Sequence, residues 1–391
     1  MKHVIILISF FILTGQALFP QNIEKIISEV EENNTTLIAL RKNADAERIG
    51  NKTGLFPGNP EFEFNYLWGS PEDIGKRNDI SLMQSFDFPS AYAYRSQISE
   101  YRNIQVEFEF ERQRREILLY ARQLCNSLVY HNALKAEFGK RIDNARMLAD
   151  SYKSKYELGE TNIIDYNKAR VNLLNIVKDA ESNEIEIESL LADLMNLNGG
   201  KTVEFTDSVF PLITLEVDFE QWYQRVEQNN PVLQWLRQEV TINRKNEKLN
   251  QALGLPKLQA GYMSEKVVGE QYQGISVGIA IPLLENRNAV KYAKAKTVAV
   301  QSAETDARMQ FYNNLKSLHA RALSLKDNLD DYRENLGLFN NTGLVQKALD
   351  EGELSLGEYL FELTFYYESI DKLLAMERDY NETVIELNKY R

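Results

Sequence analysis

Hydrophobic residues recur every three or four positions over most of the chain, and four short stretches switch to strict alternation. In Glu61 to Trp68, Phe62, Phe64, Tyr66 and Trp68 share one face while Glu61, Glu63 and Asn65 share the other. Ile80 to Phe88 sets Ile80, Leu82, Phe86 and Phe88 against Ser81, Ser85 and Asp87, with Gln84 interrupting the apolar side. Lys257 to Met263 puts Leu258, Ala260 and Tyr262 together, and at about 273–281 Ile275, Val277, Ile279 and Ile281 oppose Ser276, Gly278 and Ala280. The pattern predicts four strands in two hairpins, with Gly69 to Asp79 and Ser264 to Gln271 as their loops.

Helical spacing fills the rest. None of the nine prolines lies between 90 and 210 or after 282. Proline is costly inside helices, so these gaps predict long ones. Helices are expected at 22–55, 91–157, 163–197, 219–253 and 286–351, with a last one carrying Tyr359, Leu363, Tyr366, Ile370, Leu373, Tyr380, Val384 and Leu387 on one face. A helix over 91–157 is roughly 100 Å long at 1.5 Å per residue, too long for a compact globular domain.

The order repeats. Gly159-Glu160-Thr161-Asn162-Ile163-Ile164-Asp165-Tyr166 returns 193 residues later as Gly352-Glu353-Leu354-Ser355-Leu356-Gly357-Glu358-Tyr359. In each copy Gly159 or Gly352 suits a positive-φ helix C-cap. Asn162 or Ser355 suits an N-cap, and Asp165 or Glu358 three residues on completes a capping box. The chain therefore divides into a signal peptide at 1–17, a first unit at 18–200 with strands at about 61–68 and 80–88 and a turn at 159–165, and a linker at 201–218 with some strand character. A second unit follows at 219–391, with strands at about 257–263 and 273–281 and a turn at 352–358. The fold class is α+β and mostly α: a duplicated unit of long antiparallel coiled-coil helices plus β-hairpins.

Composition narrows the function. The formal charge of -12 argues against nucleic acid as the main partner. Lys2, His3, the apolar run Val4 to Leu13 and Gly15-Gln16-Ala17 have the make-up of a secretory signal. No later window has eighteen apolar residues, so a membrane span must be a β-barrel. Cys125, the sole cysteine, reads as a buried apolar residue. With His131 and His319 it shows no metal-ligand spacing, and no nucleotide, nucleophile-elbow or zinc-protease motif occurs. No enzyme activity, metal or cofactor is expected. Few His and no Met cluster give no support to a metal-specific duct.

Four strands cannot close a barrel, which needs about eight. Apolar, aromatic outer faces with small or polar inner ones are what a lipid-facing, water-lined barrel requires. Several chains would have to pool strands. A soluble sheet with one buried face is the alternative, but the helices are too long to cover it.

In the duplication, the hairpins at Asn59-Pro60 to Pro89 and Pro256 to Pro282, and the paired Gly-x-x-x-x-x-acid turns, the chain resembles the TolC-type outer-membrane efflux proteins over essentially the whole mature sequence. The resemblance implies a homotrimer with a twelve-stranded outer-membrane barrel and a periplasmic helical barrel. The turns would lie at the periplasmic tip, meeting an adaptor protein of an inner-membrane pump. It also implies acids on the last helix that narrow the tip. Glu358 matches one such position; one helical turn on stands Phe361, with Glu362 beside it. The expected function is a passive exit duct of a tripartite efflux or type I secretion system. The alternative is a soluble periplasmic coiled-coil adaptor or scaffold. Gly159, Glu160, Asn162, Asp165, Gly352, Glu353 and Ser355 are candidates for adaptor docking, and Glu358 and Glu362 for the gate, with helix capping as the plainer role of Asp165 and Glu358. Tyr66, Trp68, Phe86, Phe88 and Tyr262 are candidates for membrane-interface belts, with core packing as the alternative.

Overall fold

A computed structural model describes residues 21–211, 213–338 and 341–390. The expected signal peptide lies outside these residues. Helices α1 (Gln21–Asn33) and α2 (Thr35–Gly50) precede strands β1 (Glu61–Trp68) and β2 (Lys76–Phe86), and α3 (Pro89–Glu157) and α4 (Ile163–Leu197) follow. The second half gives α5 (Phe219–Asn229), α6 (Pro231–Leu253), β3 (Lys257–Val267), β4 (Glu270–Ala280), α7 (Ala289–Leu338), α8 (Thr342–Asp350) and α9 (Leu356–Leu387). The proline-free gap after Pro89 holds one helix of 69 residues, about 100 Å at the usual rise.

Three expected helices are interrupted. The 22–55 helix breaks at Asn34, whose Nδ2 donates to the Leu197 carbonyl at 2.8 Å, while the neighbouring Asn33 Nδ2 donates to Asn198 Oδ1 at 2.9 Å. The 219–253 helix breaks at Asn230, whose Oδ1 accepts from the Val232 and Leu233 amides and caps α6, with Pro231 in its first turn. Side-chain amides compete well for backbone groups at helix starts, and proline fits the first helical position, whose amide is unused. The 286–351 helix is replaced by α7 and α8, with Asn341 outside helical geometry before α8. Among the described residues of the 201–218 linker there is no strand.

The loop expected over Ser264 to Gln271 is shorter than its composition suggested. β3 and β4 extend to Val267 and Glu270, and only Val268 and Gly269 turn the chain, at φ of 47° and 93°. Two positive-φ residues make the tight turn that matches strand twist. β2 likewise starts at Lys76, four residues before its apolar alternation begins, and ends at Phe86.

The four strands form one antiparallel sheet in the order β1-β2-β3-β4. Register aligns them across the duplication. Phe62 lies opposite Leu82, Leu82 opposite Tyr262 and Tyr262 opposite Ile275; Phe86 lies opposite Leu258, and Leu258 opposite Ile279. Directly opposed residues project to the same face, so the apolar positions of all four strands form one surface. Glu61, Met83, Gly261 and Ser276 make a row on the other face.

The chain divides into two compact units, each drawing on both sequence halves. Of the described residues, the strand-bearing unit takes Thr35–Ile117, Glu216–Arg321 and 387–390; the turn-bearing unit takes 21–34, Leu118–Leu215 and Ala322–Glu386. In the strand-bearing unit Trp222, Tyr223, Val226, Leu233 and Leu387 are buried. Phe219 meets Trp222, Tyr223, Tyr312 and His319 ring to ring there. The buried His319 donates from Nε2 to the Glu216 carbonyl at 2.6 Å. In the turn-bearing unit Val30, Leu128, Val129, Leu194 and Val384 are fully buried. Cys125 lies among them, and burial pushes its thiol up to about 12. His131 Nδ1 donates to Asn183 Oδ1 at 2.8 Å, and Asn183 Nδ2 returns a bond to the His131 carbonyl. Arg141, buried on α3, reaches Asp371 on α9 at 2.6 and 3.0 Å and the Tyr367 carbonyl at 3.3 Å.

Candidate functional site: the paired turns and the apolar sheet face

The two repeated turns end their helices in the same way. Gly159 has φ of 75°, and the Glu160 amide reaches back to the Lys155 carbonyl at 2.8 Å. Gly352 has φ of 78°, and the Glu353 amide reaches back to the Ala348 carbonyl at 2.8 Å. Each is a helix C-terminus closed by a left-handed glycine. A Cβ at either position would meet nothing within 4 Å, so only the backbone conformation asks for glycine.

The following helices start differently. At the first turn Asn162 Oδ1 accepts from the Asp165 amide at 2.9 Å, and Asp165 receives the Asn162 side-chain amide at 2.8 Å and Lys168 at 3.1 Å. At the second turn the box is reciprocal: Glu358 N donates to Ser355 Oγ at 3.3 Å, and Ser355 N donates to Glu358 Oε2 at 2.8 Å. The Ser355 backbone amide, with its hydroxyl second, holds the Glu358 carboxyl below its ordinary range.

The turns are brought together through a shared core. Ala149 and Tyr152 of α3, Ala169 of α4, Leu349 of α8, and Leu356 and Tyr359 of α9 form one buried cluster, with Leu148, Tyr166, Leu173, Val345, Leu360 and Leu363 packed on it. The tyrosines that end both repeated sequences serve this core. Tyr166 stacks on Tyr156 with centroids 5.6 Å apart. Tyr359 is buried, donates to Gln346 Oε1 at 2.5 Å, and its hydroxyl is pushed up to about 12 by burial. Gly159, Glu160, Asn162, Gly352, Glu353, Ser355 and Glu358 are all exposed around this core, and Asp165 is half-buried.

Glu362 is exposed one helical turn after Glu358 and lines an open cleft of about 310 Å3 with Tyr332, Leu336, Val345, Leu363 and Tyr366. Phe361 and Phe365 stand on the same exposed stretch of α9, edge to face at 4.7 Å. Phe361 stands out in the sequence beside Glu358, whereas Phe365 is marked only by its four-residue spacing from Phe361, interleaved with Glu358 and Glu362.

On the sheet, the apolar surface is open. Ile275 is 85% exposed, Val277 76%, Trp68 76% and Phe62 68%. Tyr66 and Trp68 lie at the hairpin end of β1, Phe86 ends β2, Phe88 lies beyond the strand just before α3, and Tyr262 is midway along β3, its hydroxyl donating to Gln273 Oε1 at 2.9 Å. β1 and β4 each have one unpaired edge. No described helix is long and apolar enough to cross a membrane. Among the described residues no three His, Cys, Asp or Glu side chains gather as a metal site.

Comparison with protein-family models and with curated proteins finds no match. Solved structures do match. The chain superposes on the Campylobacter jejuni CmeC outer membrane channel with a TM-score of 0.77 at 14% identity, covering 95% of this chain and 85% of that one. CusC, described for conformational changes accompanying folding and transmembrane channel formation, gives 0.77 at 16% identity, covering 94% and 91%. The open state of the Neisseria gonorrhoeae MtrE outer membrane channel gives 0.72 at 13% identity, covering 94% and 88%. The fold is that of the TolC-type outer-membrane channels, as the sequence resemblance implied.

Proposed function

We propose that the chain is an outer-membrane exit duct of a tripartite efflux or type I secretion system. It works as a homotrimer in which each copy gives four strands to a twelve-stranded barrel and its helices to a periplasmic conduit. The observation that carries this reading is the sheet: an exposed face on which apolar and aromatic residues of all four strands line up, most densely in its helix-side half, and two unpaired edges. An exposed apolar sheet in water is an aggregation hazard, and edges vanish only on closure. Pairing β4 of one copy with β1 of the next would satisfy both edges while lipid covers the apolar face.

The duct is passive, so its selectivity and gating rest with the turn region. We place the adaptor contact at Gly159, Glu160, Asn162, Asp165, Gly352, Glu353 and Ser355, and the gate at Glu358 and Glu362. The exposure of these groups, all but the half-buried Asp165, around a packed core supports a docking surface that is rigid underneath. Fractionation of cells expressing the chain is expected to place it in the outer membrane as an oligomer that falls to monomer only on boiling, and planar bilayers should record its conductance. A monomer in the soluble periplasmic fraction would instead identify an adaptor or scaffold.

A further inference from the structure

The two strand-to-helix junctions differ in charge, and the duplication makes one a control for the other. After β2, the sole basic residue of the first two helical turns is Arg95, and Asp87 neutralises it at 2.6 Å. After β4 comes Ile281-Pro282-Leu283-Leu284, then Arg287, Lys291, Lys294 and Lys296, with no acid from Asn286 until Glu304. The one acid beside them, Glu285, is taken by Lys257 at 3.0 Å. None of the four basic side chains is ion-paired among the described residues, and all are exposed.

This cluster does not serve the helix. Lys291 lies in the first turn of α7, which holds no acid, and cations at a helix N-terminus oppose its dipole. The cluster also stands out in a chain whose net charge is -12. Its apolar neighbours point to the partner. Leu283 is 82% exposed, Leu284 78% and Tyr292 71%, directly continuing the exposed face of β4 through Ile281.

We infer that the β4–α7 junction is a docking surface for anionic phospholipid headgroups of the leaflet next to the helices. Leu283, Leu284 and Tyr292 enter the acyl boundary while Arg287, Lys291 and Lys294 hold the headgroup phosphates. Exposed apolar groups beside unpaired cations are the arrangement of an interfacial anchor, and each basic residue near an anionic surface contributes about fivefold in affinity. The inference rests on the membrane reading above.

The test is native mass spectrometry of the detergent-purified oligomer given equal phosphatidylglycerol and phosphatidylcholine. The wild-type protein is expected to retain the anionic lipid with a preference of about tenfold or more. R287Q/K291Q/K294Q should lose that preference while still binding both lipids weakly. R287K/K291R/K294R should keep it, and R95Q should leave it unchanged. Preference should fall in high salt, and millimolar inorganic phosphate should not displace the lipid. Equal retention of the two lipids by wild type, or an unaltered preference in the glutamine variant, overturns the inference and leaves the membrane reading standing. Displacement by inorganic phosphate also overturns it, as the site would then be one for free phosphate. If wild type retains neither lipid and partitions with soluble proteins, the inference and the membrane reading fail together.

Discussion

At the scale of residues, the turn region separates backbone demands from surface chemistry. Gly159 and Gly352 sit in the left-handed region with open space around them. Alanine at either is expected to cost about 1–2 kcal/mol through the backbone alone. Hydrogen exchange of the adjoining turn should read this as local opening, with the oligomer intact. Bulkier residues there should block transport without blocking assembly if the surface docks an adaptor. Glu358 has a definite acid dependence. Its folded pKa is depressed by the Ser355 amide and hydroxyl, so its contribution is present above the unfolded value of about 4.3 and is lost as pH falls through the folded one. Exchange protection in the first turn of α9 should drop over that acid window, and Glu358→Gln should remove the step. If a ring of Glu358 also selects ions, the same variant will reduce cation preference in planar bilayers; unchanged selectivity would leave capping as its whole role. Cys125, with its thiol pushed up to about 12 by burial, should resist alkylation until the protein is unfolded.

At the scale of elements, a few contacts fix where helices stop and how strands turn. Val268 turns the β3–β4 hairpin at φ of 47°, a conformation that suits asparagine and disfavours a β-branched side chain. It is 66% exposed, so little packing opposes replacement. Val268→Asn is expected to stabilise the hairpin by about 1 kcal/mol, seen as slower exchange of the β3 and β4 amides. The α3–α9 pair depends on Arg141, which is buried while its partner Asp371 is partly exposed. Asp371→Ala leaves a buried guanidinium without its carboxylate, held by the Tyr367 carbonyl and the rings of Phe138 and Tyr367, and should cost about 2 kcal/mol, measured as a lower thermal midpoint in detergent. Much at this scale was legible. The prolines and the period-two runs located the strands, and Asn162 and Ser355 announced the starts of α4 and α9. The breaks at Asn34 and Asn230 were not, because an asparagine stops a helix only when its side chain finds a backbone partner, and for Asn34 that partner is Leu197, far along the chain.

At the scale of the whole molecule, the sheet sets the assembly. Its apolar face and open edges both ask for a closed barrel in lipid. Alternation should therefore govern tolerance to charge. Val277→Lys on the apolar face is expected to cost about 2–4 kcal/mol near the bilayer centre and to abolish the boiling-sensitive oligomer. Ser276→Lys, one residue away on the opposite face, should assemble and alter only conductance. Equal tolerance at both positions would be incompatible with a lipid-covered sheet.

The sequence by itself determined the inventory of parts. Alternation, proline spacing and the repeated glycine-to-tyrosine turns are local signals, because strand pleat, helix interruption and capping act over a few residues. Tertiary structure alone decided how the parts combine. Which faces of β2 and β3 coincide depends on register between strands about 180 residues apart, and no local pattern specifies that. Nor does either repeated turn announce that Tyr152, Ala169, Leu356 and Tyr359 would meet in one core. The two compact units cut across the duplication for the same reason: burial is settled by neighbours in space, and each sequence half leaves apolar faces that segments of the other half cover.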